Sequence, residues 1–175
     1  MSRFVLFATP WWVNLLALVP LAPYLLSIKT KFSIGRKRLL LLAVFGIAFG
    51  FVEAAVVVYL RAATGLLPVP QVHGTAALPQ SLVRTECFRE AATIVMLAGI
   101  AWLAGQNLRS KIAAFLWTFA FWDFFYYVWL RVTIAWPGSL LDTDILFLIP
   151  APWIAQVWFP LLISGFSAAV IWTRS

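Results

Sequence analysis

Apolar residues fall in five long blocks along this chain, interrupted by short segments rich in basic and turn-forming residues. A helix of about 20 residues crosses the roughly 30 Å of hydrocarbon in a bilayer, and each block reaches that length. The first runs from Phe7 to Ser27 and holds Pro10, Pro20 and Pro23, which predict a kinked span. Leu39 to Leu60 is the most uniform. Glu86 to Gly105, Ile112 to Ile134 and Trp153 to Trp172 follow, the last with Pro160 inside it. Proline is tolerated in such helices because neighbours re-satisfy the carbonyl it frees. The pattern predicts an all-α polytopic membrane protein of about five transmembrane helices, forming one domain over residues 1–175. It shows no internal repeat and no soluble linker.

Composition supports the bilayer. Hydrophobic residues make up 63% of the chain and charged residues only 11%, too little polar material to clothe a soluble core. The ten Trp suit the lipid–water boundary. No small-residue cleavage site follows the first block, so it is expected to be retained rather than removed as a signal peptide. Cys87 is the single cysteine, which rules out an internal disulfide and CxxC redox chemistry.

The basic residues set an orientation. Lys29, Lys31, Arg36, Lys37 and Arg38 separate the first two blocks, Arg109 and Lys111 separate the third and fourth, and Arg174 follows the fifth. Placing these segments in the cytoplasm satisfies the positive-inside rule. The expected location is the plasma (inner) membrane, with the amino terminus outside and the carboxy terminus cytoplasmic. A net charge of +7 could otherwise suggest nucleic acid, but the bases flank apolar spans and form no stripe with stacking partners. Nucleic-acid binding is therefore not expected.

Two outer loops follow, near Arg61 to Thr85 and Ala135 to Pro152. In the second, Pro137-Gly138 makes a turn. Leu140, Leu141 and Ile145 to Ile149 then form an apolar run broken by Asp142 and Asp144, and Pro150-Ala151-Pro152 stops it. Too short to span, this run predicts a re-entrant or interfacial segment on the outer face.

The six acids are Glu53, Glu86, Glu90, Asp123, Asp142 and Asp144, and in this orientation none is cytoplasmic. At about 1.5 Å of rise per residue, Glu53, Glu90 and Asp123 lie in or near the outer half of the membrane on three separate helices. Gly46, Gly50 and Glu53 share one face of the second span, and small residues so spaced admit a close neighbour. Asp123, Tyr126, Tyr127 and Leu130 share a face of the fourth. A lone charge facing hydrocarbon costs about 2.5–3.5 kcal/mol, so these acids need partners. Arg61, Arg84, Arg89 and Arg131 are available, and Arg89 is expected to pair with Glu53 or Asp123 on another helix.

Such a cluster has two readings. It can fix helix register, or it can line a pocket open to the outer side, since intramembrane ionisable residues are functional candidates by default. The candidate cluster is Glu53, Glu86, Arg89, Glu90, Asp123, Tyr126, Tyr127 and Arg131, with His73, Asp142 and Asp144 in the outer loops. A transmembrane ion path lacks polar stations in the inner half, where Leu39 to Val44 and Leu97 to Leu103 are apolar. No metal is expected: the lone His73 cannot build a di-iron set or bis-histidine haem site, and Asp142-Thr143-Asp144 supplies too few oxygens for a hard cation. Cys87 lacks a nearby histidine to activate it. The tyrosine hydroxyls could meet a quinone carbonyl or a lipid headgroup.

Two functions remain open. One is a non-catalytic subunit of a larger membrane complex or a lipophilic-ligand-binding protein, with other membrane subunits or further copies of itself as partners and a lipid or quinone as ligand. The other is an intramembrane enzyme that acts on a lipid-linked substrate from the outer leaflet, with Glu53, Glu90 and Asp123 as acid/base groups. No cofactor is implied by the residues.

Overall fold

The computed structural model describes residues 8–65 and 79–175, which form a helical bundle with one small hairpin. Three helices are long and apolar enough to cross a membrane: α2 (Arg36–Ala63), α3 (Gln80–Ala104) and α4 (Leu108–Ile134). At about 1.5 Å per residue each exceeds the roughly 30 Å hydrocarbon thickness. Their exposure is the inverse of a soluble protein's. Phe88 and Leu103 are 77% and 84% exposed, whereas Glu53 and Asp123 are 4% and 8% exposed. Large apolar side chains are turned outward along these helices, while the acids Glu53, Glu86, Glu90 and Asp123 are turned inward.

Helix α4 is the hub, packing against α2, α3 and the shorter α5 (Trp158–Thr173). Gly46 and Gly50 explain the α2–α4 contact. A Cβ at Gly46 would lie 2.8 Å from the Thr118 carbonyl oxygen, and one at Gly50 would lie 2.9 Å from that of Trp122. Close approach also lets indoles reach across: Trp117 Nε1 donates to the Leu39 carbonyl at 2.7 Å, and Trp129 Nε1 to that of Ile47 at 3.0 Å. Asn107 accepts from Ser110 N at 3.0 Å, capping α4 after a short turn from α3.

The first block is broken rather than kinked. A 3-10 helix (Trp11–Leu18) ends before Pro20, and α1 (Leu21–Ser27) starts there, because a proline supplies no N–H to continue the ladder. This segment runs the length of the bundle. Thr9 exchanges backbone hydrogen bonds with Ile154 in the hairpin at 2.8 and 2.7 Å, while Phe32 N donates to the Arg174 carbonyl at the other end at 2.9 Å. Most of the basic residues gather at that opposite end, where Arg109 donates to Thr30 and Arg38 reaches the Ala104 carbonyl.

The short apolar run between α4 and α5 is extended. Strand β1 (Thr143–Phe147) pairs antiparallel with β2 (Trp153–Gln156), with a bulge between Ile145 and Phe147. The all-α expectation is thereby corrected at one place. Trp153 to Gln156 belong to this hairpin and not to the last helix, which starts at Trp158. Pro160 then falls in the first turn of α5, where its missing N–H has no intrahelical partner to lose. Trp12 packs edge-on against Trp153 at 5.2 Å between centroids, joining the 3-10 helix to the hairpin.

Candidate functional site

The acids of the hairpin half converge on one cavity of about 1110 Å³. Glu53 of α2 is the anchor. Its carboxylate is paired with the Arg89 guanidinium of α3 and accepts from the Thr93 hydroxyl at 2.7 Å. Arg89 turns its Nε to Glu86 at 2.9 Å one turn earlier on α3, so one guanidinium bridges two carboxylates. The expected partner of Arg89 was Glu53 or Asp123, and Glu53 is the one found. Glu90 instead accepts from the backbone N–H of Leu148 at 2.8 Å, which fastens the hairpin loop to α3.

Asp123 and Asp144 make a second polar centre. Asp123 accepts from the Ser164 hydroxyl of α5 at 2.7 Å. Asp144, on β1, accepts from the Tyr127 hydroxyl of α4 at 2.9 Å. Burial pushes the Asp144 carboxyl up to about 6, while the Tyr127 hydroxyl and the nearby Arg61 charge oppose that rise. Tyr126 lines the same cavity, its ring meeting that of Tyr127 at 5.0 Å between centroids.

The remaining sequence candidates fall elsewhere. Arg131 is exposed and donates to the Ala135 and Pro137 carbonyls at 2.7 and 2.9 Å, capping the end of α4 instead of joining the carboxylates. Asp142 borders the cavity, but its carboxylate accepts from the Gly138 and Ser139 N–H groups and staples the turn. Asp142 and Asp144 thus hold different partners and do not act as one pair. His73 lies outside the described residues. Among the described residues no three His, Cys, Asp or Glu side chains stand together as metal ligands.

Three cavity residues stand outside the candidate cluster drawn from the sequence: Trp122, Trp153 and Arg61, the last of which the sequence offers only as an available partner for the acids. Among the described residues, Arg61 Nη1 and the Nε1 atoms of both tryptophans are buried without a hydrogen-bond partner. The Arg61 guanidinium lies over the Trp136 ring at 4.8 Å. Glu53, Val57 and Arg61 follow at i, i+4 and i+8, a signal that could have placed Arg61 on the cavity face of α2. Nothing comparable marks Trp153, whose position depends on the hairpin.

Away from the charges, the cavity is apolar. Leu16 and Val19 of the first segment, Ile94 of α3, Phe115 and Phe119 of α4, and Ile163 of α5 form this part. The space is therefore amphipathic, with acids, arginines and unpaired N–H donors at the hairpin and hydrocarbon below. The chain matches no protein-family model, no curated protein and no solved structure.

Proposed function

We propose that this chain is a multi-pass protein of the plasma (inner) membrane that binds an amphipathic lipophilic molecule, a lipid or quinone, as a non-catalytic binding protein or as such a subunit of a larger membrane complex. The observation that carries this reading is the cavity: about 1110 Å³, charged at one end and apolar at the other. Pockets of this kind hold a ligand's apolar body and orient it through a few polar groups. Five crossings fit the arrangement. The first segment rises about 27 Å, counting roughly 2.0 Å per 3-10 residue and 1.5 Å per α residue, close to a bilayer's hydrocarbon depth. With the basic end cytoplasmic, the hairpin caps the outer face and the amino terminus is outside. The hairpin then serves as the interfacial segment over the cavity.

The test is mass spectrometry of lipid extracts from protein purified in mild detergent. One lipid or quinone per chain is expected from the wild type, with loss from Ala91→Trp, which puts bulk on the cavity wall at an exposed position. Absence of any stoichiometric ligand, or its full retention in a folded Ala91→Trp protein, would overturn the reading.

A second reading, an enzyme acting on a lipid-linked substrate from the outer leaflet, draws on Glu90, Asp123 and Asp144 lining one cavity. Glu53 is the least suited of the expected acid/base groups, because Arg89 and Thr93 occupy its carboxylate. Under this reading Asp123→Asn protein accumulates a ligand that differs in mass from the wild type's. Identical ligands in both would remove it.

A further inference from the structure

The charges left over in the cavity describe the headgroup that would complete it. Among the described residues the ion pairs are those of Arg89 with Glu53 and Glu86, so that guanidinium is committed. Asp123 and Asp144 both line the cavity, accept from the Ser164 and Tyr127 hydroxyls, and have no cationic ion-pair partner among the described residues. Two carboxylates lining one largely apolar cavity must be met by protons or by a cation, and a cationic ligand group is the partner that keeps both ionised. Arg61 is the reverse case. Among the described residues it makes no ion pair and its Nη1 is buried with no acceptor. Trp122, itself 8% exposed, adds a second unpartnered donor and Trp153 a third. Buried donors without acceptors are rare because each carries its full desolvation cost, and the one charged group among them, the Arg61 guanidinium, lines the cavity and so points to an anionic group in the occupant.

Resting on the cavity reading above, we propose that the ligand is a zwitterionic phospholipid with a primary amine. Its phosphate sits on Arg61, its ammonium sits against Asp123 and Asp144, and an acyl chain lies along Phe115, Phe119 and Ile163. Guanidinium and phosphate match in charge and in forked hydrogen-bond geometry. A primary ammonium has three N–H donors to give to the carboxylates, which a quaternary ammonium lacks. An anionic headgroup would bring no cation to Asp123 and Asp144, and an uncharged sugar would leave both centres unmet. A bare metal ion needs more oxygen ligands than these two side chains supply, and no third acid joins them among the described residues. No bond is made or broken by this binding.

The experiment is a native mass spectrometry titration of the delipidated full chain. The probes are phosphatidylethanolamine, phosphatidylglycerol, phosphatidylcholine and, as the soluble headgroup alone, phosphoethanolamine. Phosphatidylethanolamine is expected to bind about tenfold more tightly than either other lipid, the size of one lost charged contact. Arg61→Gln should weaken phosphatidylethanolamine and phosphatidylglycerol alike, and Asp144→Asn should weaken phosphatidylethanolamine selectively. The wild-type ranking decides the matter even where a variant fails to fold. Equal or tighter binding of phosphatidylglycerol or phosphatidylcholine overturns the headgroup assignment and leaves the lipid cavity standing. Phosphoethanolamine binding as tightly as the lipid overturns the acyl-chain placement and assigns the site to a soluble headgroup. Binding of none of the lipids, together with no co-purifying ligand, brings down the cavity reading as well.

Discussion

Arg89 on α3 is paired with the carboxylate of Glu53 on α2, while its Nε reaches Glu86 of its own helix at 2.9 Å. Glu53 is 4% exposed, so removing its partner leaves a buried charge with only Thr93 beside it. Arg89→Ala is expected to cost roughly 3–5 kcal/mol of stability, the range for an orphaned member of a buried pair. A paired Glu53→Gln/Arg89→Gln protein should lose less than the sum of its single changes. Unfolding midpoints in detergent, compared around this double-mutant cycle, check the claim. Additive losses would mean that the two residues do not stabilise each other.

The α2–α4 contact makes a separate claim. Gly50 has the Trp122 carbonyl oxygen 2.9 Å and the Tyr126 nitrogen 3.1 Å from where a Cβ would sit, both backbone atoms that cannot step aside. Gly50→Ala should therefore destabilise by about 1–3 kcal/mol through overpacking. Gly99, in α3, has nothing within 4 Å of that position. Gly99→Ala should be neutral or stabilise by up to about 1 kcal/mol, since alanine is the better helix former. Equal effects in thermal unfolding would show that the close helix approach is not what these glycines serve.

Much of this was legible in the sequence because charge and small residues are scarce in apolar helices. The face carrying Gly46, Gly50 and Glu53 was visible from spacing alone, as was the need of Glu53 for an arginine on another helix. Which neighbour α2 would choose was not visible. In lipid a helix can be apolar all round, so periodicity loses the contrast that marks a buried face in water. The run from Asp144 to Ile149 was ambiguous for another reason: short apolar stretches fit strand and helix equally, and only its pairing with Trp153 to Gln156 decides. Since the hairpin carries Asp144 and Trp153, the sequence could not assemble this part of the site. Arg131 misled because an arginine near a helix end can cap carbonyls as readily as pair with an acid.

Orientation can be tested with a thiol reagent that does not cross membranes. In a Cys87→Ser background, Ser139→Cys lies in the exposed turn after α4 and Lys37→Cys at the exposed start of α2. Intact cells should label the first and spare the second, and permeabilised cells should label both. The reverse pattern would invert the positive-inside assignment and move the cavity to the cytoplasmic leaflet.

Asp144 predicts a pH dependence with a definite sign. It lies outside the spanning helices, and burial raises its carboxyl from the ordinary 3.8 to about 6 in the folded protein. The folded chain therefore holds this proton more tightly than the unfolded chain does. Stability from this group is full below the lower value, is lost as pH rises towards the upper one, and stays lost beyond it. Asp144→Asn removes the titration while keeping an oxygen to accept from the Tyr127 hydroxyl. In delipidated protein, the difference in unfolding midpoint between wild type and Asp144→Asn should move in the variant's favour across that window and then level off. Tyr127→Phe removes the hydroxyl that stabilises the ionised carboxylate, so the levelling should shift to higher pH in that background. A difference that stays flat across the window would mean that Asp144 is as well solvated folded as unfolded. A zwitterionic headgroup on the site should itself flatten the slope, because its ammonium favours the ionised acid, so the comparison should be repeated with phosphatidylethanolamine restored. No change of slope on adding the lipid would count against an ammonium seated at Asp144.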